Sequence, residues 1–137
     1  MLPVVTPFGD DTKVDFRALT DNLSRWATTG INGYVLLGST GERVHLDESE
    51  YLQIIETARA ATSPDLAFIV GAGQQSVVGT ISEIKKAARA GADAVLVITP
   101  YFYRSAITQE TLVSFYTAVA DEAPEPVSRS NRRQLRV

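Results

Sequence analysis

The sequence predicts a parallel α/β fold assembled from repeated strand–helix units, and three observations support this prediction. Four short runs are almost continuously apolar and rich in β-branched residues, which is typical of strands covered on both faces of a parallel sheet. Segments with apolar residues three and four positions apart separate these runs, as amphipathic helices would. The runs begin near residues 3, 33, 66 and 94, and each step has the length of about one strand–helix unit of 30 residues.

The elements alternate strictly along the chain. We predict strands over residues 3–6, 33–37, 66–70 and 94–98. Four helices follow them, and their apolar stripes contain Phe16, Leu19, Leu23 and Trp26; Leu52, Ile55 and Ala58; Val77, Ile81, Ile84 and Ala88; and Leu112, Phe115, Tyr116 and Val119.

The predicted helix ends agree with the chemistry of helix caps. Asp47 precedes Glu50 by three residues, as a capping box requires, and Thr108 is placed to cap the fourth helix. Gly30 and Gly91 stand where the first and third helices are expected to stop. Local and periodic signals therefore predict the same elements.

Composition excludes several classes of protein. The 137 residues suit one domain, and 13 basic against 16 acidic side chains give a net charge of −3. Cysteine is absent and His45 is the single histidine, which excludes disulfides, thiolate catalysis and multi-histidine metal sites, so we expect no metal and no cofactor. No apolar run is long enough for a membrane helix and the first residues do not form a leader, so we expect a cytoplasmic protein without membrane contact.

The last ten residues differ from the rest of the chain. Residues 128–137 contain four arginines and no acidic residue, which predicts a polar, disordered tail after a domain of residues 1–127. Clustered arginines can bind nucleic acid or an acidic partner by releasing counterions from phosphates. The tail has no aromatic residue for base stacking, and solvation of the arginines is the simpler interpretation, so nucleic-acid binding is not expected.

Parallel strands joined by helices close either as a doubly wound open sheet or as an eight-stranded barrel. A barrel takes about 250 residues, so four units in 137 residues amount to half of one. Length by itself favours the open sheet, and only the content of the loops favours the barrel.

The loop after the second strand, Gly38-Ser39-Thr40-Gly41-Glu42, is the strongest candidate for chemistry. Active groups of parallel α/β folds gather at the carboxyl ends of strands. Two glycines allow a sharp turn that brings N–H groups close to a ligand, and the hydroxyls of Ser39 and Thr40 supply hydrogen bonds to a carboxylate. The pattern suits a small anionic substrate, although a polar turn capped by its own hydroxyls is a simpler alternative.

The two later loops are less specific. Gly71-Ala72-Gly73 is not followed by the third glycine of a dinucleotide site or the lysine of a phosphate loop, so close backbone approach explains these glycines better. After the fourth strand, Tyr101, Phe102 and Tyr103 follow a proline. Such a cluster is typical of a core or of a subunit interface.

Several motifs occur in the order in which one enzyme family carries them. They are Val5-Thr6-Pro7-Phe8, Gly38-Ser39-Thr40-Gly41-Glu42, Gly71-Ala72-Gly73, Gly91-Ala92-Asp93-Ala94 and Thr99-Pro100-Tyr101-Phe102-Tyr103. Together they resemble the dihydrodipicolinate synthase and N-acetylneuraminate lyase family, whose members are parallel (β/α)8 TIM barrels, usually oligomeric, that use or release pyruvate through a Schiff base. The resemblance implies an α/β half barrel of the first four units in residues 1–127, followed by a divergent tail.

The resemblance also implies roles for the loop residues. Thr40 would anchor the carboxylate of pyruvate or a related 2-keto acid, with Gly38 and Gly41 shaping the site, and Ser39 would pass protons to a tyrosine on the fifth strand. The family draws a second tyrosine from the neighbouring subunit of a homo-oligomer, and Phe102 stands at that place. Tyr101 and Tyr103 flank it, and we take Tyr103 as the candidate catalytic tyrosine and Tyr101 and Phe102 as interface or relay residues.

The chain departs from the family after residue 127. Where the family continues with a strand bearing the catalytic tyrosine, and later one bearing the imine-forming lysine, residues 128–137 are polar and contain neither. We therefore expect a truncated or frame-shifted product of a pyruvate-dependent lyase or aldolase that is inactive alone. Two alternatives remain, namely a non-catalytic α/β module whose tail contacts nucleic acid or an acidic partner, and a complete open-sheet enzyme with another anionic ligand.

Overall fold

The structure is a computed structural model that describes residues 1–124 and 126–129. This part of the chain forms a five-stranded parallel sheet and four helices, none of them long and apolar enough to cross a membrane. The strands are β1 (Leu2–Pro3), β2 (Gly33–Leu36), β3 (Ala67–Ala72), β4 (Ala94–Val97) and β5 (Val127–Arg129). The helices are α1 (Phe16–Ala27), α2 (Glu48–Ala60), α3 (Val77–Arg89) and α4 (Gln109–Glu122), and single 3₁₀ turns at Arg43–His45 and Arg104–Ala106 precede α2 and α4.

The order of the strands distinguishes a half barrel from an open sheet. Each strand pairs in parallel with the next one along the chain, from β1 to β5 without reversal. Because crossovers between parallel strands are right-handed, this order puts successive helices on one side, and consecutive helices do contact each other. A doubly wound sheet would reverse its order and carry helices on both faces. The predicted half barrel is therefore confirmed, and the open sheet is wrong.

Burial alternates along the strands, contrary to the expectation that both faces are covered. In β3, Phe68 and Val70 are fully buried, while Ile69 between them is half-buried. Val35 pairs with Ile69 in the sheet, and Val35 and Leu96 are half-buried in the same way. The described helices thus cover one face only. The opposite face, which we call the inner face, carries Val5, Val35, Ile69 and Leu96.

Several strand boundaries differ from the prediction: β2 and β4 each end one residue early, and β3 is Ala67–Ala72 instead of residues 66–70, so Gly71 and Ala72 belong to the strand and not to the loop after it. The first strand is Leu2–Pro3 instead of residues 3–6, although the amide of Val4 still donates to Val35 O at 3.0 Å. Strand β5 begins at Val127 and continues through Ser128 and Arg129, two residues past the predicted end of the domain. The predicted disorder of the tail from residue 130 onward lies outside the described residues.

The helix caps follow the prediction closely. Asp47 accepts from the Glu50 amide at 2.8 Å while the Glu50 carboxylate accepts from the Asp47 amide at 3.0 Å, which confirms the capping box. Thr108 caps α4 in the same reciprocal way with Thr111. Gly91 follows the end of α3 with a φ of 97°, as a terminating glycine should. Helix α1 ends at Ala27, earlier than Gly30 predicted.

Candidate active site

The loop after β2 forms a tight turn of residues 38–41, which we call the glycine turn. The amide of Gly41 donates to Gly38 O at 3.1 Å, and the amide of Glu42 donates to Ser39 O at 3.3 Å. Because all the strands are parallel, this turn lies at the same end of the sheet as the loops after β1, β3 and β4. The structure therefore places the predicted substrate loop where parallel α/β proteins bind ligands.

Close packing between backbones fixes the base of the turn. A methyl group on Gly41 would lie 2.8 Å from Leu37 N, and one on Gly71 would lie 2.1 Å from Leu37 O. The prediction that close approach explains Gly71 is thus confirmed. The buried hydroxyl of Thr6 donates to Gly41 O at 2.7 Å. The sequence does not predict this contact, because a threonine after a strand carries no signal of a partner 35 residues away.

Ser39 and Thr40, at the tip of the turn, are exposed. Neither side chain makes a hydrogen bond to any residue that the structure describes, so the simpler interpretation, in which the hydroxyls cap their own turn, is wrong for this part of the chain. Gly38 has open space where a side chain would stand. Two hydroxyls and the backbone beside them are thus accessible to a ligand.

The aromatic loop after β4, residues 101–103, projects into solvent. The exposed fractions are 41% for Tyr101, 71% for Phe102 and 73% for Tyr103. The rings of Phe102 and Tyr103 meet edge to face with centroids 4.9 Å apart. The core interpretation of this cluster is therefore wrong. The side-chain oxygen of Gln75 accepts from the amides of Tyr101 at 3.0 Å and Phe102 at 2.9 Å, which ties the aromatic loop to the loop after β3.

The glycine turn and the aromatic loop lie at the same end of the sheet, after different strands. They follow β2 and β4, which flank β3, and two strand spacings amount to about 10 Å. Among the described residues no hydrogen bond joins Ser39 or Thr40 to Tyr101 or Tyr103. The structure gathers the predicted residues at one end of the sheet, and a relay among them stays a prediction.

A polar network beside the turn escaped the sequence analysis. It lines a groove of about 790 Å³. The carboxylate of Glu83, 6% exposed, accepts from Arg43 Nε at 3.0 Å, from the Gly73 amide at 2.6 Å and from Gln74 Nε2 at 3.1 Å. Helical periodicity was the one available indication that Glu83 is buried. Glu83 lies three residues after buried Thr80, on the face of α3 that packs against the sheet.

Tyr51 connects this network to the sheet. Its hydroxyl donates to Gly71 O at 3.1 Å, and the Arg43 guanidinium lies 4.3 Å from the centre of its ring. Burial raises the pKa of the Tyr51 phenol far above its usual value of 10.0, with a further increase from Glu83 that Arg43 opposes. Tyr51 is therefore a neutral hydrogen-bond donor.

The three lysines of the chain lie on α3 and in the loop before α1, and Lys86 lines the groove beside the glycine turn. Lys85 pairs with Glu122 at 3.3 Å, and Lys86 pairs with Glu48. Lys13 belongs to the exposed loop before α1. That none of the three serves as an imine-forming lysine stays a prediction.

Comparison with known proteins identifies the family. Residues 1–128 match the model of the dihydrodipicolinate synthetase family. The chain is 34% identical over 121 residues to 4-hydroxy-tetrahydrodipicolinate synthase of Haloarcula marismortui, with 88% of this chain and 39% of that protein covered. It is 37% identical over 130 residues to a probable mitochondrial 4-hydroxy-2-oxoglutarate aldolase of Emericella nidulans, with 92% and 42% covered.

The fold agrees with solved structures of the same family. The crystal structure of the chloride-inhibited dihydrodipicolinate synthase from Acinetobacter baumannii, complexed with pyruvate, superposes with a TM-score of 0.88 and 32% identity. The superposition covers 96% of this chain and 44% of that one, so the chain spans less than half the length of the relatives it matches. Because the family model matches nearly every residue before the divergent tail, the chain belongs to the dihydrodipicolinate synthetase family.

Proposed function

We propose that this chain carries the keto-acid-binding part of a Schiff-base-forming, pyruvate-dependent lyase or aldolase. The observation that carries the proposal is the glycine turn, whose two exposed hydroxyls make no hydrogen bond to any described residue. Membership of the dihydrodipicolinate synthetase family, and the likeness to a synthase complexed with pyruvate, support a 2-keto acid as the anion.

The chemistry requires the carboxylate of the keto acid to be held still. A lysine amine condenses with the keto group and releases water, and the resulting imine accepts electrons while a carbon–carbon bond forms or breaks. In our proposal the hydroxyl and the amide of Thr40 hold the carboxylate, and Ser39 passes protons. The lysines of this chain are paired on helices or lie in an outer loop, so we assign imine formation to a lysine outside these 137 residues.

We further propose that the aromatic loop lies at a subunit boundary. Tyr101, Phe102 and Tyr103 are all exposed, and exposed aromatic side chains favour interfaces. We assign this loop to contact with another subunit of a homo-oligomer. The hydroxyl of Tyr103 or Tyr101 then takes the place that Phe102 cannot fill in a proton relay.

A pyruvate titration followed by two-dimensional amide NMR tests this function. We expect pyruvate to shift the amide signals of Ser39, Thr40 and Gly41, with binding weakened about tenfold in Thr40→Val because one hydrogen bond to a charged group is lost. Thr20→Val, on α1, is the matched control, because the Thr20 hydroxyl donates to Arg17 O and not to the turn, and this variant should bind as the parent does. Borohydride should leave the chain unlabelled. Pyruvate that shifts no signal of the turn, or that shifts it equally in Thr40→Val, would contradict the proposal.

A further inference from the structure

The glycine turn is bracketed by two residues with unfavourable backbone conformations. Leu37 before it has a φ of 55° and Glu42 after it has a φ of 52°. Of the described residues other than glycine, Thr12 alone shares such a positive φ with them. Left-handed conformations are costly for a leucine or a glutamate, and they persist only where surrounding contacts enforce them.

The contacts on the Leu37 side are made by backbone packing. Gly71 leaves room for Leu37 O, and the Thr6 hydroxyl holds Gly41 O from within the core. These contacts fix where the turn leaves β2 and hold the peptide group before Glu42, but none of them holds the chain after Glu42.

The contacts on the Glu42 side are made by the next residue, Arg43. Its Nε donates to Glu83 at 3.0 Å and its Nη1 donates to Leu46 O at 3.1 Å. The Arg43 side chain is 18% exposed and the Glu83 side chain 6% exposed, so solvent screens this ion pair little. The Glu42 backbone lies in local turns, its amide donating to Ser39 O at 3.3 Å and its carbonyl accepting from the His45 amide at 2.9 Å, while its carboxylate has only a loose, exposed contact with His45 at 3.9 Å.

Glu83 joins the two loops that border the site. Its carboxylate receives Arg43 from the loop after β2, and it receives the amide of Gly73 and the side chain of Gln74 from the loop after β3. A buried ion pair contributes little net stability, because desolvation offsets the attraction between the charges. A position-fixing role therefore explains this pair better than a stabilising one.

We propose that Arg43 and Glu83 are a positioning pair that holds the glycine turn in the strained conformation in which Ser39 and Thr40 face an anion. Without the pair, Glu42 relaxes toward a negative φ, and the hydroxyls and amides of the turn no longer converge. The inference rests on the proposed function for the identity of the anion, but its structural part, the order of the turn, does not.

The test uses a double variant, Arg43→Met with Glu83→Gln, in the whole chain. The glutamine oxygen still accepts from the Gly73 amide, and no buried charge is left unpaired. We expect an unfolding midpoint close to that of the parent. We also expect amide hydrogen exchange at Gly41 and Glu42 to accelerate about tenfold, and the Kd for pyruvate to rise about tenfold, because the turn loses one restraint.

Two further variants keep the result interpretable. Lys85→Gln with Glu122→Gln removes an exposed ion pair between α3 and α4 and should change neither readout. Arg43→Lys keeps the charge pair and should recover slow exchange at Gly41 and Glu42; it also serves if the double variant does not fold.

The outcomes separate the two proposals. A folded double variant with unchanged exchange at the turn overturns the positioning role. Accelerated exchange in a chain whose parent does not bind pyruvate supports the positioning role and contradicts the proposed function instead. If both Arg43 variants lose global stability in step with the turn, the pair is structural and the inference is wrong.

Discussion

Two glycines at the proposed site have different reasons for being glycine. Gly71 lies against the backbone of Leu37, where a methyl group would be 2.1 Å from a carbonyl oxygen. Gly38 has no atom within 4 Å of the same position. Neither residue has a positive φ, so space alone distinguishes them.

We predict opposite stability effects for alanine at these positions. Gly71→Ala forces β2 and β3 apart at the turn and should lower the free energy of unfolding by about 3 kcal/mol, the upper end of the cost of overpacking. Gly38→Ala should leave it unchanged or raise it by up to about 1 kcal/mol, because alanine restricts the unfolded chain. Urea unfolding of both variants measures these changes. Equal changes in the free energy of unfolding would contradict the prediction and would show that the Leu37 backbone moves at little cost.

At the scale of elements, Tyr51 couples α2 to β3. Its neutral hydroxyl donates to Gly71 O, so the helix reaches the strand end that borders the glycine turn. Burial and Glu83 raise the pKa of this phenol in the folded chain, whereas in the unfolded chain it titrates near pH 10. The two states therefore bind different numbers of protons at alkaline pH.

This difference predicts an alkaline loss of stability. Below about pH 10, Tyr51 is neutral in both states and its contribution is complete. Above that pH the unfolded chain releases the proton and the folded chain keeps it, so the free energy of unfolding falls as the pH rises towards the raised pKa. Tyr51→Phe should be less stable at neutral pH and should lose less stability than the parent between about pH 9 and 11.

Urea unfolding across that range measures the slope, and Tyr103→Phe is the matched control. Tyr103 is 73% exposed and should leave the slope of the parent unchanged. Identical slopes for the parent and Tyr51→Phe would mean that the phenol ionises without cost in the folded chain.

At the scale of the whole molecule, the sheet is covered on one face only. Val5 is 44% exposed, and Val35, Ile69 and Leu96 are half-buried on the inner face. Within the described part of the chain, β1 and β5 each pair on one side only. Apolar surface that remains exposed to solvent contributes no hydrophobic free energy to offset the conformational entropy lost on folding. Unpaired strand edges also favour association with other chains.

We therefore predict that this chain is a marginally stable monomer that self-associates at micromolar concentration. Sedimentation velocity over a dilution series should show larger species that dissociate on dilution, and Ile69→Lys on the inner face should reduce them. Val78→Lys, at a 78% exposed position on α3, is the control and should leave the amount of larger species unchanged. A cooperatively melting monomer at all concentrations would contradict this prediction.

The repeating unit, the helix caps and the loop that bears Ser39 and Thr40 were predictable from local patterns in the chain. These features depend on residues that are close in the chain: apolar periodicity, the Asp47 and Glu50 capping box, and glycines beside hydroxyls. The resemblance to a family of TIM barrels predicted a half barrel, whereas length alone favoured an open sheet.

Contacts between residues distant in the chain were not predictable in this way. Arg43 and Glu83 are 40 residues apart, and Thr6 and Gly41 are 35 apart, so neither contact has a local signal. Burial on one face instead of two, and exposure of the aromatic loop instead of core packing, are equally invisible to periodicity. An apolar run indicates that its side chains favour burial, but only the packing of distant segments determines which of them are buried.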